Sequence, residues 1–159
     1  MNLFGMMDIS GSALKAERVR AEVVASNMAN AETTRTADGT PYRRQHVVFA
    51  ANGDQSFSSI FRNSAMSGSA LQAGAPIASA SVEGGVQVSA VVDDSSAPLT
   101  RFEPGHPDAD ANGFVSYPNI NPLTEMVDLM GATRAYGANA SAVQAEKNMV
   151  NSSLDILKS

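Results

Sequence analysis

The sequence predicts an α+β protein: long N- and C-terminal helices paired as a coiled coil, with a small β-rich middle domain. Three observations predict it. Apolar residues recur at seven-residue spacing near both ends of the 159-residue chain. Turn residues and alternating Val-rich runs fill the middle. The apolar share of 43% is mostly Ala, Val and Met, with 6% aromatics and no Trp, which suits close helix packing better than a thick aromatic core.

The first element spans about residues 6–31. Met7, Leu14, Ala21 and Met28 lie seven apart, with Val24 and Ala25 as second members and Val19 and Val23 widening the stripe. Charged Lys15, Glu17, Arg18, Arg20 and Glu22 occupy most of the rest. Gly11 weakens the start by roughly 1 kcal/mol relative to Ala. Asn27 and Asn30 read as terminators, because Asn tolerates the left-handed conformation at a helix end.

The chain then changes character. Asp38-Gly39 and Pro41 mark a turn, and Val47-Val48-Phe49 reads as a strand. Residues 51–81 are rich in Ser, Ala and Gly and read as a flexible excursion with a short helical turn near 57–62. Val86, Val88, Ala90 and Val92 alternate as a strand, Asp93–Ser96 turns, and Leu99–Glu103 and Gly113–Tyr117 are two more strands.

The last helix has a clear start. Asn121 can cap it and Pro122 fits the first helical position, where its missing N–H is harmless. One stripe runs Met126, Thr133, Ala140, Lys147, Leu154. Its companion runs Leu129/Met130, Tyr136, Val143, Val150, Leu157. At 1.5 Å per residue the two helices would be about 39 and 50 Å long, long enough to lie side by side. The expected division is 1–32 and 121–159 for the helical core and 33–120 for the β-rich middle, with its insertion at about 51–81. Gly131 and Gly137 favour close approach by a neighbouring backbone.

Composition limits the function. A net charge of −5 argues against a nucleic-acid partner, and the absence of Cys excludes disulfides, thiol catalysis and Cys-based zinc sites. No apolar run is long enough to span a membrane. Residues 1–8 lack a basic, apolar secretory signal, so an exported chain would use another route. Asp108-Ala109-Asp110-Ala111-Asn112-Gly113 matches the opening of a calcium loop, but the twelfth position is Asn119 and the flanks are strands. Its competing reading is a turn whose Asp and Asn bond their own backbone. His106 and His46 are the only histidines, and no second His sits at ligand spacing. Arg35, Arg43, Arg44 and His46 form a basic cluster, which reads as a solvated strand edge or a patch for an acidic face of a neighbouring subunit. Asn139-Ala140-Ser141 and Asn151-Ser152-Ser153 match the glycosylation triplet by chance inside a helix. No nucleophile, phosphate loop or small-molecule site is visible, so no enzyme and no cofactor are expected.

Ser26-Asn27-Met28-Ala29-Asn30 resembles the signature shared by bacterial flagellar rod and hook proteins, and Arg134-Ala135-Tyr136-Gly137-Ala138-Asn139 resembles their second. Asp8–Leu14, Pro41–Arg44, Glu103–Asp110, Gly113–Val115, Pro118–Asn121 and Glu125–Asp128 look like the proximal-rod members. The stretch at 51–81 looks longer than the family pattern. The resemblance implies a structural subunit of the periplasmic rod of the flagellar basal body, exported by the flagellar type III apparatus without a cleaved signal. It implies terminal helices paired as an inner layer, ordered on assembly with other rod proteins and further copies.

On this reading Leu14, Ala21, Val24 and Met28 meet Met126, Met130, Tyr136, Val143 and Val150. Asn27, Asn30, Arg134 and Asn139 are polar register contacts. The rival readings are a soluble calcium-binding module or a coiled-coil adaptor module.

Overall fold

The computed structural model describes residues 3–52 and 84–158. The expected turn near 57–62, and nearly all of the 51–81 excursion, lie outside the described residues. The elements are α1 (Leu3–Ala29), β1 (Gln45–Ala51), β2 (Val86–Asp93), β3 (Leu99–Phe102), β4 (Phe114–Tyr117) and α2 (Pro122–Lys158).

Helix α1 is the central element, packing on α2 and on both β1 and β2. The strands make two separate antiparallel pairs. β1 pairs with β2 from Gln45↔Asp93 to Ala51↔Val86, with an irregularity between Val48 and Phe49. That slip interrupts the period-two alternation, so Ala90 and Val92 are exposed although Val86 and Val88 are half-buried. β3 pairs with β4 from Leu99↔Tyr117 to Phe102↔Phe114. Val115 from β4 is buried, with Pro118 and Ile120 beyond it.

The helix starts and stops have identifiable causes. Asn121 Oδ1 accepts from the Leu123 amide at 3.0 Å, and the Asn121 carbonyl accepts from Glu125 N at 3.1 Å. Helix α1 ends differently from expectation. No described residue other than glycine has positive φ, so neither Asn27 nor Asn30 is a left-handed terminator. Asn27 lies inside the helix. Asn30 closes it by donating both its backbone N (3.0 Å) and its side-chain Nδ2 (2.9 Å) to the Ser26 carbonyl.

The hairpin docks on α1 through glycine and serine. Ser12 Oγ donates to the Ile9 carbonyl (2.7 Å) and accepts from Val86 N (3.0 Å). Gly85, with φ of 109°, brings the chain so close that a Cβ there would stand 2.8 Å from Ser12 Oγ.

The apolar core is thin. Its buried members are Ala16, Val24, Val115, Ile120 and Ala132, while Leu123, Met126, Val127, Met130, Phe102 and Val92 are exposed. No described helix is long and apolar enough to cross a membrane.

The β3–β4 loop reverses at Gly113, where φ is 82° and an added Cβ would meet Phe102 Cε2 at 2.9 Å and Pro104 Cβ at 3.2 Å. Gly113→Ala is expected to destabilise the protein by about 1–3 kcal/mol, read as a lower thermal midpoint with α-helical circular dichroism retained before the transition.

Candidate functional site: a polar lock between the terminal helices

Asn27 is 1% exposed, on the last turns of α1, yet its side chain is engaged on all sides. Its Nδ2 donates to the Gln45 carbonyl (2.9 Å) and to Glu125 Oε2 (3.2 Å). Its Oδ1 accepts from Gln45 N (2.9 Å) and from the Tyr42 hydroxyl (3.2 Å). The amide therefore fills both donor and both acceptor positions, and one side chain ties α1 to β1, to the segment before it and to the first turn of α2.

Glu125 is equally buried, at 1% exposure. Its second oxygen takes a 2.6 Å bond from Arg44 Nε, just before β1. The Arg44 guanidinium also lies 3.7 Å from Asp128 Oδ2, and Arg20 of α1 reaches Asp128 Oδ1 at 3.7 Å. A buried carboxylate with no partner is costly, whereas this one has a cation and an amide on its two oxygens. Around it, Ser26 Oγ and Tyr42 Oη lie 3.3 Å apart, Thr33 Oγ1 donates to Asn30 Oδ1 (3.2 Å), and Tyr42 N donates to the Thr33 carbonyl (3.1 Å). The Ser26–Asn30 segment thus folds the chain back on itself so that Tyr42, Arg44 and Gln45 return to α1.

The polar residues of the middle region serve the same closure. Asp108 accepts from Thr34 Oγ1 (2.8 Å) and pairs with Arg35 (3.5 Å), while His106 Nδ1 accepts from Asp108 N (3.1 Å). Asp110 Oδ1 accepts from the amides of Asn112 (2.8 Å) and Phe114 (2.9 Å). The carboxylates at the calcium-like loop are thus engaged by protein donors, and among the described residues no acidic or histidine trio converges on a metal position. The basic cluster is likewise dispersed. Arg35, Arg44 and His46 face Asp108, Glu125 and Asp94 of the same chain, while Arg43 is exposed without such a pairing in the described ion pairs. Ser96, through its hydroxyl and then its backbone N–H, holds the Asp94 carboxyl below its ordinary value.

The face that α2 turns inward differs from the expected one. Glu125, Ala132 and Glu146 are buried and Asn139 is half-buried, a seven-residue repeat one position before Met126, Thr133, Ala140 and Lys147. Val143 and Val150 are half-buried, whereas Met126 (51%), Met130 (52%), Tyr136 (44%) and Arg134 are exposed. On α1, Val24 and Asn27 are buried, while Leu14, Ala21, Met28 and Asn30 are half-buried. Hydropathy picks Met126 and Ala140, the greasier neighbours of Glu125 and Asn139, and so places the stripe 100° from the buried row. Asn139 Nδ2 donates to the Ala135 carbonyl (2.9 Å), an intrahelical bond. Missed as central were Glu125, Arg44, Tyr42, Ala16 and Ala132. The visible signal for two of them is the Glu-Ala-Asn-Glu repeat itself, whose small and polar members share one helical face.

Both ends of this lock match family models. The model for flagella basal body rod protein covers residues 7–35, and that for the C-terminal region of the flagellar basal body rod FlgEFG proteins covers 111–156. Flagellar basal-body rod protein FlgC of Bacillus subtilis is 44% identical over 99% of this chain and 100% of its own length. Those of Borreliella burgdorferi and Salmonella typhimurium are each 35% identical, over 99% and 98% of this chain and the same shares of their own. The chain belongs to the FlgC family of flagellar basal-body rod proteins. It is a structural family of the rod, and the lock joins the two ends of one chain.

Two predictions follow from the bonding of the lock. Asn27→Asp keeps the shape but sets a second carboxylate against Glu125 Oε2 and the Gln45 carbonyl. It should cost about 3 kcal/mol or more, a fall of roughly 6–12 °C in thermal midpoint, and Glu125→Gln in the same chain should recover part of that fall. At the far end of α2, Glu146 is 4% exposed and its Oε2 has no hydrogen-bond partner. Glu146→Met should therefore raise the midpoint, by about 2–4 °C per kcal/mol recovered, in a thermal melt.

Proposed function

We propose that this chain is a subunit of the proximal rod of the bacterial flagellar basal body, polymerising through its terminal helices to carry torque. The observation that carries the reading is the Asn27–Glu125–Arg44 lock. It joins residues inside both family-model matches and fixes the N-terminal helix against the C-terminal one. The full-length likeness to rod proteins of three distant bacteria supports the same role.

In this reading the two helices form the coiled-coil inner layer, roughly residues 1–32 and 121–159, and residues 33–120 pack outside it. Leu14, Ala21, Val24, Asn27, Met28 and Asn30 of α1 act with Met126, Met130, Arg134, Tyr136, Asn139, Val143 and Val150 of α2 in pairing and assembly. Met126, Met130, Arg134 and Tyr136 of that set are exposed in the single chain, which suits contacts completed by neighbours. The partners are other rod proteins and further copies, and the site of action is the periplasmic rod. Export by the flagellar type III apparatus, without a cleaved signal, belongs to the same proposal. Torque would pass through many small helix contacts arranged head to tail, which generate an open helical assembly when the rotation does not close.

Mass spectrometry of purified basal bodies tests the role directly: the chain should be present, beginning at its own N-terminus. Ala21→Glu, a charge on the half-buried flank of α1, is expected to abolish swimming in soft agar at unchanged protein level. A swimming strain carrying it counts against assembly through this helix.

A further inference from the structure

The β3–β4 loop carries a reactive pair that the lock does not use. Asn112 is exposed and is followed by a glycine. In such a pair the glycine backbone nitrogen can attack the asparagine side-chain carbonyl carbon, Cγ, because glycine has no Cβ to block the approach. The nitrogen loses its proton, the new N–Cγ bond closes a five-membered succinimide ring, and ammonia leaves. Water then opens the ring at either carbonyl. One opening leaves aspartate. The other leaves isoaspartate, whose main chain runs through Cβ and Cγ and is one atom longer.

The folded loop withholds the nucleophile. Gly113 N donates to the Asp110 carbonyl at 3.0 Å. Asp110 Oδ1 accepts from the amides on either side, Asn112 N (2.8 Å) and Phe114 N (2.9 Å). Asp110 N donates to the Phe114 carbonyl, and the Gly113 carbonyl accepts from Glu103 N, both at 2.8 Å. Phe102 and Pro104 close the side of Gly113 where a Cβ would stand. The peptide between Asn112 and Gly113 therefore cannot swing toward Cγ without breaking the Gly113–Asp110 bond and loosening its neighbours. Asp110 takes part in four of these five bonds.

We propose that Asn112 is a site of spontaneous deamidation that folding of the β3–β4 loop shuts off, with Asp110 as the residue that holds it shut. The chain is open to this modification before it folds and wherever the loop opens. Isoaspartate at this position adds a main-chain atom to the turn that sets the Phe102↔Phe114 pairing, so a chain modified first closes the turn less well. Deamidation and hydrogen exchange at Gly113 both start from the same freed N–H. One opening equilibrium therefore slows both. A single ordinary hydrogen bond accounts for up to about tenfold, and here several open together.

The full-length chain is kept in warm, mildly alkaline buffer with and without urea and digested at intervals. The peptide holding Asn112 is read by mass spectrometry for aspartate and isoaspartate. In urea, Asn112 and Asn52, the other asparagine followed by glycine, should both convert. In the folded chain conversion at Asn112 should be slower by about tenfold or more, by the same factor that protects the Gly113 amide from exchange. Asp110→Ala should speed conversion in the folded chain and leave the rate in urea unchanged. Equal rates with and without urea overturn the proposal, as does slow conversion in a folded chain whose Gly113 amide exchanges freely. A folded Asp110→Ala chain that converts no faster also overturns it. Should that variant not fold, the two measurements on the unaltered chain still decide.

Discussion

The hydrogen bond between Asn27 and Glu125 is the constraint on which the rest of the fold depends. The two residues are 98 positions apart, and both are almost completely buried. Closing so long a loop is entropically costly, and a thin core of Ala16, Val24, Val115, Ile120 and Ala132 offsets little of that cost. Direction and register must therefore come from polar groups. A buried amide and a buried carboxylate suit that task because they tolerate few alternative partners. Sliding α2 by one residue would strand Glu125 away from both Asn27 and Arg44, each loss costing about 1–3 kcal/mol. Apolar stripes of Ala, Val and Met would resist such a slide far less.

The same heptad position is used twice with opposite consequences. At its start Glu125 has a cation and an amide, whereas three heptads on Glu146 leaves one oxygen bare. The helix pair is thus bound tightly where the chain enters and leaves the middle region, and loosely toward its far end. Local opening free energy follows the number of satisfied buried contacts, so the gradient along the pair is one of stability as well as of polarity.

Much of the fold was legible in the sequence. The strand at Val47–Phe49, the alternating run from Val86, the Asn121-Pro122 start and both long helices carry local signals of propensity, capping and period. The candidate site was legible only in its outline. Ser26–Asn30 stood out as a motif, yet Asn27 read as a helix stop because its partners at 42, 45 and 125 are distant in sequence. Glu125 read only as part of a family-like stretch, and Arg44 as part of a basic edge. Their pairing is a tertiary fact, and the apolar period, tracking Met126 and Met130, pointed one residue away from it.

That one-residue offset reflects how such a chain divides its helical surface. Each helix has two usable rows, 100° apart. A subunit that filled its internal contact with the greasiest row would be a stable monomer with a polar exterior. Here the internal contact takes Glu125, Ala132, Asn139 and Glu146, a row that is small or polar and specific in register. Met126 and Met130, from the two expected stripes, are left half exposed. Exposed apolar surface of this extent is a liability for a free monomer and an asset for a polymer. Polar groups therefore set how the chain folds on itself, while much of the apolar surface of α2 stays outside. On α2 the hydrophobic period read from the sequence thus follows an exposed row, one residue away from the buried one.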